Sequence, residues 1–224
     1  MANFTVYNTS PEGLYLPYYM TTGTGGLNTS ILGNTPQGEG IGITGADVLN
    51  NCVGWCQGRM MEVYNEVNGT QNNPTNPFTG CSVDAQLWYA NYNQWGMTRQ
   101  ATPAVGAIGC YRKRISIRPT VYEGHVLFVE RYNTDTGLWE ASEGHYWYDG
   151  SQNTDGSWDY TTLDPNNSYK PLFLVSDPFW QKQGFLIPNY GVLTLIPSVP
   201  IARPTSGGDI LIGAYRKRNR RRFY

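Results

Sequence analysis

Cys52 and His125 are the residues of this 224-residue chain whose types and surroundings could do covalent chemistry together. Cys52 stands in Asn51-Cys52-Val53-Gly54-Trp55-Cys56-Gln57-Gly58-Arg59. His125, one of two histidines, stands in Gly124-His125-Val126-Leu127-Phe128-Val129-Glu130. A thiol nucleophile needs a base that takes its proton, and the base needs a third group that holds its ring. Glu143, in Ala141-Ser142-Glu143-Gly144-His145, can supply that group by engaging the second imidazole nitrogen. His145 either joins the site or lines its rim, so Glu143 and His145 both stand as the group that orients His125. Trp55 and Gly124 are the candidate substrate-binding residues, the glycine because it lets a substrate backbone approach His125. Thiol, imidazole and carboxylate in this order are the parts of a thiol hydrolase.

These residues need elements that bring them together. Val53, Cys56, Met60 and Val63 recur at helix spacing, which predicts a helix over 52–65 with Cys52 in its first turn. Free backbone N–H groups and the helix dipole favour a thiolate there. A second helix is expected over 82–94, with Ser82 as its N-cap and Gly96 as its terminator. Ala85, Trp88, Tyr89 and Tyr92 would line its buried side. From residue 103 the pattern turns to strands: 104–112, then 124–131 as the clearest. Asn133-Thr134-Asp135-Thr136-Gly137 reads as a hairpin turn, and 138–142 returns as the partner strand. Aromatic strands fill 145–163, and Asp164-Pro165-Asn166-Asn167-Ser168 reads as a boundary.

Aromatic residues are abundant (17 Tyr, 7 Trp, 7 Phe) and charged residues scarce at 15 %, which suits a β-rich, loop-rich protein and excludes a helical bundle. The organisation expected is an N-terminal arm over 1–41, a catalytic domain over 42–168, an apolar Pro-rich docking region over 169–215 and a basic tail over 216–224. Proline punctuation of 171–203 argues against regular central strands there. The N-terminus lacks the basic and apolar regions of a signal peptide, and no segment is long and apolar enough for a membrane span. Four cysteines at these spacings match neither a disulfide framework nor a zinc site, so one functional thiol and three buried ones are expected. Six of the 16 Lys and Arg residues lie in 216–222, leaving ten against 17 acidic residues elsewhere. Such a tail suits a solvated end, an acidic wall polymer or an acidic subunit. Nothing else here resembles a nucleic-acid module, so nucleic acid is not an expected partner.

Four segments in register carry a family resemblance. Asn51-Cys52-Val53-Gly54-Trp55 with Gly58-Arg59 resembles the cysteine motif of the CHAP domain (cysteine, histidine-dependent amidohydrolase/peptidase). Pro103-Ala104-Val105-Gly106-Ala107-Ile108 resembles its P-x-x-G-A-I/V strand, Gly124-His125-Val126 through Glu130 its G-H-V-x-x-V-E motif, and Ser142-Glu143 the following S-E. The resemblance covers about 45–165. Many family members have Asn two residues after that Glu, where this chain has His145; in the related NlpC/P60 peptidases the third residue is often His. The resemblance implies an α+β, papain-like CHAP fold, with N-terminal helices packed on an antiparallel β-sheet and extended N- and C-terminal arms. It implies a peptidoglycan hydrolase, an amidase or an endopeptidase, with Cys52, His125 and Glu143 catalytic and no metal or other cofactor. Because CHAP enzymes are common as phage lysins, it suggests a virion-associated tail lysin whose partners are bacterial peptidoglycan and other tail proteins. The alternatives are a free endolysin released to the wall and an inactive structural virion protein of the same fold.

Overall fold

The computed structural model describes residues 17–19, 26–29, 51–81, 83–114, 122–144, 158–175 and 177–191. The architecture is α+β, with helices packed on a seven-stranded antiparallel sheet. Helix α1 spans Cys52–Val67 and starts where Asn51 caps it, its side-chain oxygen accepting from the Gly54 N–H at 2.9 Å. Helix α2 is shorter than expected, Ala85–Asn91, and continues as a 3-10 turn, Tyr92–Trp95. Asp84 holds the N-cap position of α2, and the expected cap, Ser82, lies outside the described residues. Gly96 ends the turn in the left-handed conformation (φ 66°) that glycine adopts without steric cost. A one-turn helix, α3, covers Leu172–Val175.

The strands are β1 (Thr98–Gln100), β2 (Ile108–Arg114), β3 (Tyr122–Asn133), β4 (Leu138–Gly144), β5 (Trp158–Asp164), β6 (Lys170–Pro171) and β7 (Trp180–Ile187). Their order is β1-β7-β2-β3-β4-β5-β6. The run Val126-Leu127-Phe128-Val129 is continuously apolar because β3 is buried on both faces. Val126 and Phe128 join the core under α1 and α2, whereas Leu127 and Val129 join a second core with Tyr111, Trp139, Ala141 and Phe185. The β3–β4 turn is the expected one: the Asn133 side chain accepts from the Asp135 and Thr136 N–H groups, and Gly137 takes φ 68°.

Two sequence expectations change. Prolines at 178 and 188 bracket a regular strand instead of interrupting one, so β7 lies inside the sheet, paired with β1 and β2. Part of the expected docking region therefore belongs to the same core as the site. Within the expected arm, Tyr18 and Tyr19 are fully buried against α1, and Asn28 bonds the carbonyls of Tyr18 and Gly54. A Cβ on Gly58 would come within 2.3 Å of the Tyr19 ring, so this glycine makes room for the arm. The tail over 216–224 lies outside the described residues. No helix among the described residues is long and apolar enough to cross a membrane.

Candidate active site

Cys52 is the first residue of α1, and its side chain is part-exposed. Asn51 engages both the Gly54 and the Trp55 N–H groups, through its side chain and its carbonyl respectively. The Cys52 and Val53 N–H groups carry no bond to another described residue, so the first turn presents two donors beside the sulfur.

His125 lies on β3 opposite Tyr111 of β2. Among the described residues the β3–β4 ladder ends at Phe128 opposite Ser142, so His125 and Glu143 both lie beyond its last pair. There the imidazole Nε2 meets Glu143 Oε2 at 2.5 Å, and Cys52 lies close enough to act on the same imidazole. The structure thus brings the thiol, the imidazole and the carboxylate into one chain of contacts. Glu143 is fully buried and the His125 side chain is 12 % exposed, so this contact is shielded from bulk water. Burial alone would disfavour the imidazolium. The interactions with Cys52 and with the Glu143 carboxylate outweigh it and lift His125 from 6.5 to about 10.

The other cysteines have a different environment. Cys56, Cys81 and Cys110 are fully buried in the core under the helices, and burial pushes each thiol up. A buried thiol held in its neutral form is a poor nucleophile.

Two residues expected to meet a substrate do other things. Trp55 is 1 % exposed, and its indole N–H donates to Ser142 Oγ at 2.9 Å, which leaves it no free face. Gly124 has its open side filled by α2: a Cβ there would lie 2.0 Å from the Gln86 backbone nitrogen. The glycine makes room for a helix, which holds α2 against the strand bearing His125. Local sequence cannot distinguish a glycine that admits a ligand from one that admits backbone. His145 lies outside the described residues.

Sequence reasoning missed the polar groups that lock α1 to the sheet. Arg59 grips Glu130 with a two-bond fork, Nε to Oε1 at 2.8 Å and Nη2 to Oε2 at 2.7 Å. Arg59 also pairs with Glu62, which accepts from the Tyr19 hydroxyl at 2.8 Å. Glu130 sits where the β3–β4 register shifts, and such a bulge re-aims a side chain. The available signal was Arg59 beside the apolar period of a helix and Glu130 at the end of an apolar strand.

No protein-family model, characterised protein or solved structure matches the chain.

Proposed function

We propose that this chain is a cysteine-dependent hydrolase of amide bonds in bacterial peptidoglycan, a CHAP enzyme of papain-like fold acting as a virion-associated phage tail lysin. The observation that carries the reading is the contact chain Cys52–His125–Glu143, with the sulfur at a helix start and the carboxylate 2.5 Å from the imidazole. The four CHAP-like segments supply the substrate class.

The chemistry follows from the arrangement. His125 takes the thiol proton, giving a thiolate beside an imidazolium. The sulfur attacks the amide carbonyl, and the carbonyl oxygen becomes an oxyanion that the Cys52 and Val53 N–H groups stabilise. His125 then gives its proton to the departing amine, and the C–N bond breaks to leave a thioester on Cys52. Water, losing a proton to His125, attacks the thioester; the acid departs and the thiol is restored. Throughout, Glu143 accepts from Nε2–H, which fixes the ring and leaves its other nitrogen to exchange the proton.

The virion assignment rests on sequence. The stretch beyond Gly191 is apolar and punctuated by proline, with six positive charges clustered in 216–222, which suits docking in an assembled particle.

Zymography on peptidoglycan from several Gram-positive walls, with Cys52→Ala beside the wild type, tests the reading. Clearing by wild type alone is expected, and mass analysis of the new termini separates amidase from endopeptidase. A folded wild-type protein that clears no wall overturns the proposed activity and favours the structural virion protein. Detection of the chain in purified particles, as opposed to the lysate alone, tests the virion assignment.

A further inference from the structure

The buried polar groups beside the site form a second chain of contacts that the hydrolytic steps do not use. Ser142 Oγ donates to Glu130 Oε1 at 2.5 Å and accepts from Trp55 Nε1 at 2.9 Å. Glu130 in turn holds the Arg59 fork. Trp55, Arg59, Glu130 and Ser142 are each no more than 1 % exposed. Trp55 and Arg59 belong to the helix that begins at Cys52, Glu130 to the strand of His125, and Ser142 directly precedes Glu143 on β4. Each element that supplies a member of the site therefore supplies a member of this network.

The Arg59–Glu130 fork ties α1 to β3 at one point, two turns from Cys52. Nearer the sulfur, Asn28 holds the Gly54 carbonyl from the arm side, but that contact does not reach the sheet. The Trp55–Ser142 bond adds a second tether one turn nearer the sulfur, made through a rigid indole, and it ends on the residue next to Glu143. We propose that Ser142 is a positioning residue: its hydroxyl sets the first turn of α1 against β4 and so aligns Cys52, His125 and Glu143. This inference rests on the thiol–imidazole reading above. Its physical basis is the steep dependence of such a pair on geometry, where a misplacement of about 1 Å costs on the order of 100-fold in rate.

The test follows alkylation of Cys52 by iodoacetamide against pH, with Cys52→Ala as the blank; the other three thiols are buried. The profile belongs to the coupled thiol–imidazole pair. Ser142→Ala is expected to displace it by about one pH unit or more, which is about tenfold in rate on the rising limb of the profile. On cell wall, kcat is expected to fall with KM unchanged. Trp55→Phe removes the same bond from its other end, is expected to do the same, and decides the matter if Ser142→Ala does not fold. Tyr190→Phe is the structural control: it deletes a buried hydroxyl that donates to the Gly106 carbonyl at 2.8 Å. It is expected to lower Tm and leave the profile in place. Profiles of Ser142→Ala and Trp55→Phe that superimpose on the wild type overturn the positioning role, whatever their Tm. A wild-type profile equal to that of a free cysteine overturns the thiol–imidazole reading and this inference with it. A displaced profile in a protein that clears no wall upholds the positioning role and removes the peptidoglycan substrate alone.

Discussion

At the scale of single residues, burial separates one cysteine from three. Cys56, Cys81 and Cys110 are held neutral by burial, while Cys52 is part-exposed and beside an imidazole. Cys52→Ala is therefore expected to abolish hydrolysis. Cys56→Ala, one turn along the same helix, is expected to retain it at a cost of about 0.5–3 kcal/mol in stability, read from urea unfolding. The reverse pattern identifies Cys56 as the nucleophile. His125 makes a pH prediction whose sign follows from its cause. Burial opposes its charge, but the interactions with Cys52 and the Glu143 carboxylate raise it from 6.5 to about 10, so the folded state holds the proton more tightly than the unfolded one. That contribution is complete below pH 6.5 and is lost as pH rises towards 10. Between pH 6 and 10 the urea midpoint of the wild type is expected to fall further than that of His125→Ala; parallel falls contradict the raised imidazolium. Glu143→Gln keeps the shape and removes the charge, and is expected to lower kcat by about 10²- to 10⁴-fold.

At the scale of elements, α1 is unusual because it is buried nearly all round. Every residue from Val53 to Val63 is buried, including Gln57, Arg59 and Glu62. Such polar groups survive inside only with partners. Gln57 accepts from the Thr29 N–H and donates to the Phe78 carbonyl, and Arg59 has Glu130 and Glu62. Removing one member of a buried ion pair leaves the other charge uncompensated, so Glu130→Ala is expected to destabilise by about 3–5 kcal/mol in urea titration. A loss below 1 kcal/mol shows that the pair does not anchor α1. Gly124 tests the second helix. Its Cβ would strike the α2 backbone at 2.0 Å, where nothing flexible can give way, so Gly124→Ala is expected to displace α2 and cost about 1–3 kcal/mol. A stable, active Gly124→Ala protein contradicts that packing.

At the scale of the whole molecule, the sheet is closed by segments far apart in the chain. Residues 180–187 pair with 98–100 on one side and with 108–113 on the other. Phe185 and Leu186 are fully buried, one in each core. Deleting residues 171–224 therefore removes an interior strand and opens both cores. The expected product lacks cooperative thermal unfolding and is inactive on any wall; a folded, active truncation contradicts the interior place of β7. The described part of the N-terminal arm acts in the same sense, covering the outer side of α1 with Tyr18 and Tyr19. Two segments that composition marked as extensions thus help bury the helix that carries the thiol.

What the sequence by itself determined was local. The helical period after Asn51, the apolar run of β3, the Asn133–Gly137 turn and the Gly96 stop are each set by residues a few positions apart, and each stands where its pattern put it. The separation of one part-exposed cysteine from three buried ones was legible for the same reason, since the helical period already marked Cys56 as inward. Tertiary structure decided the rest. Trp55 and Gly124, set beside the nucleophile and the base in sequence, serve packing because a strand 87 residues away takes the indole N–H and a second helix takes the space over the glycine. Arg59 and Glu130 are 71 positions apart, and no local period records that two charges will be buried together. The prolines flanking β7 looked like breaks because proline removes a ladder donor only at its own position; where the strand begins and ends between them depends on which neighbours pair with it. Short-range pattern sets what each segment can become, and long-range burial sets which face of it meets water, substrate or protein.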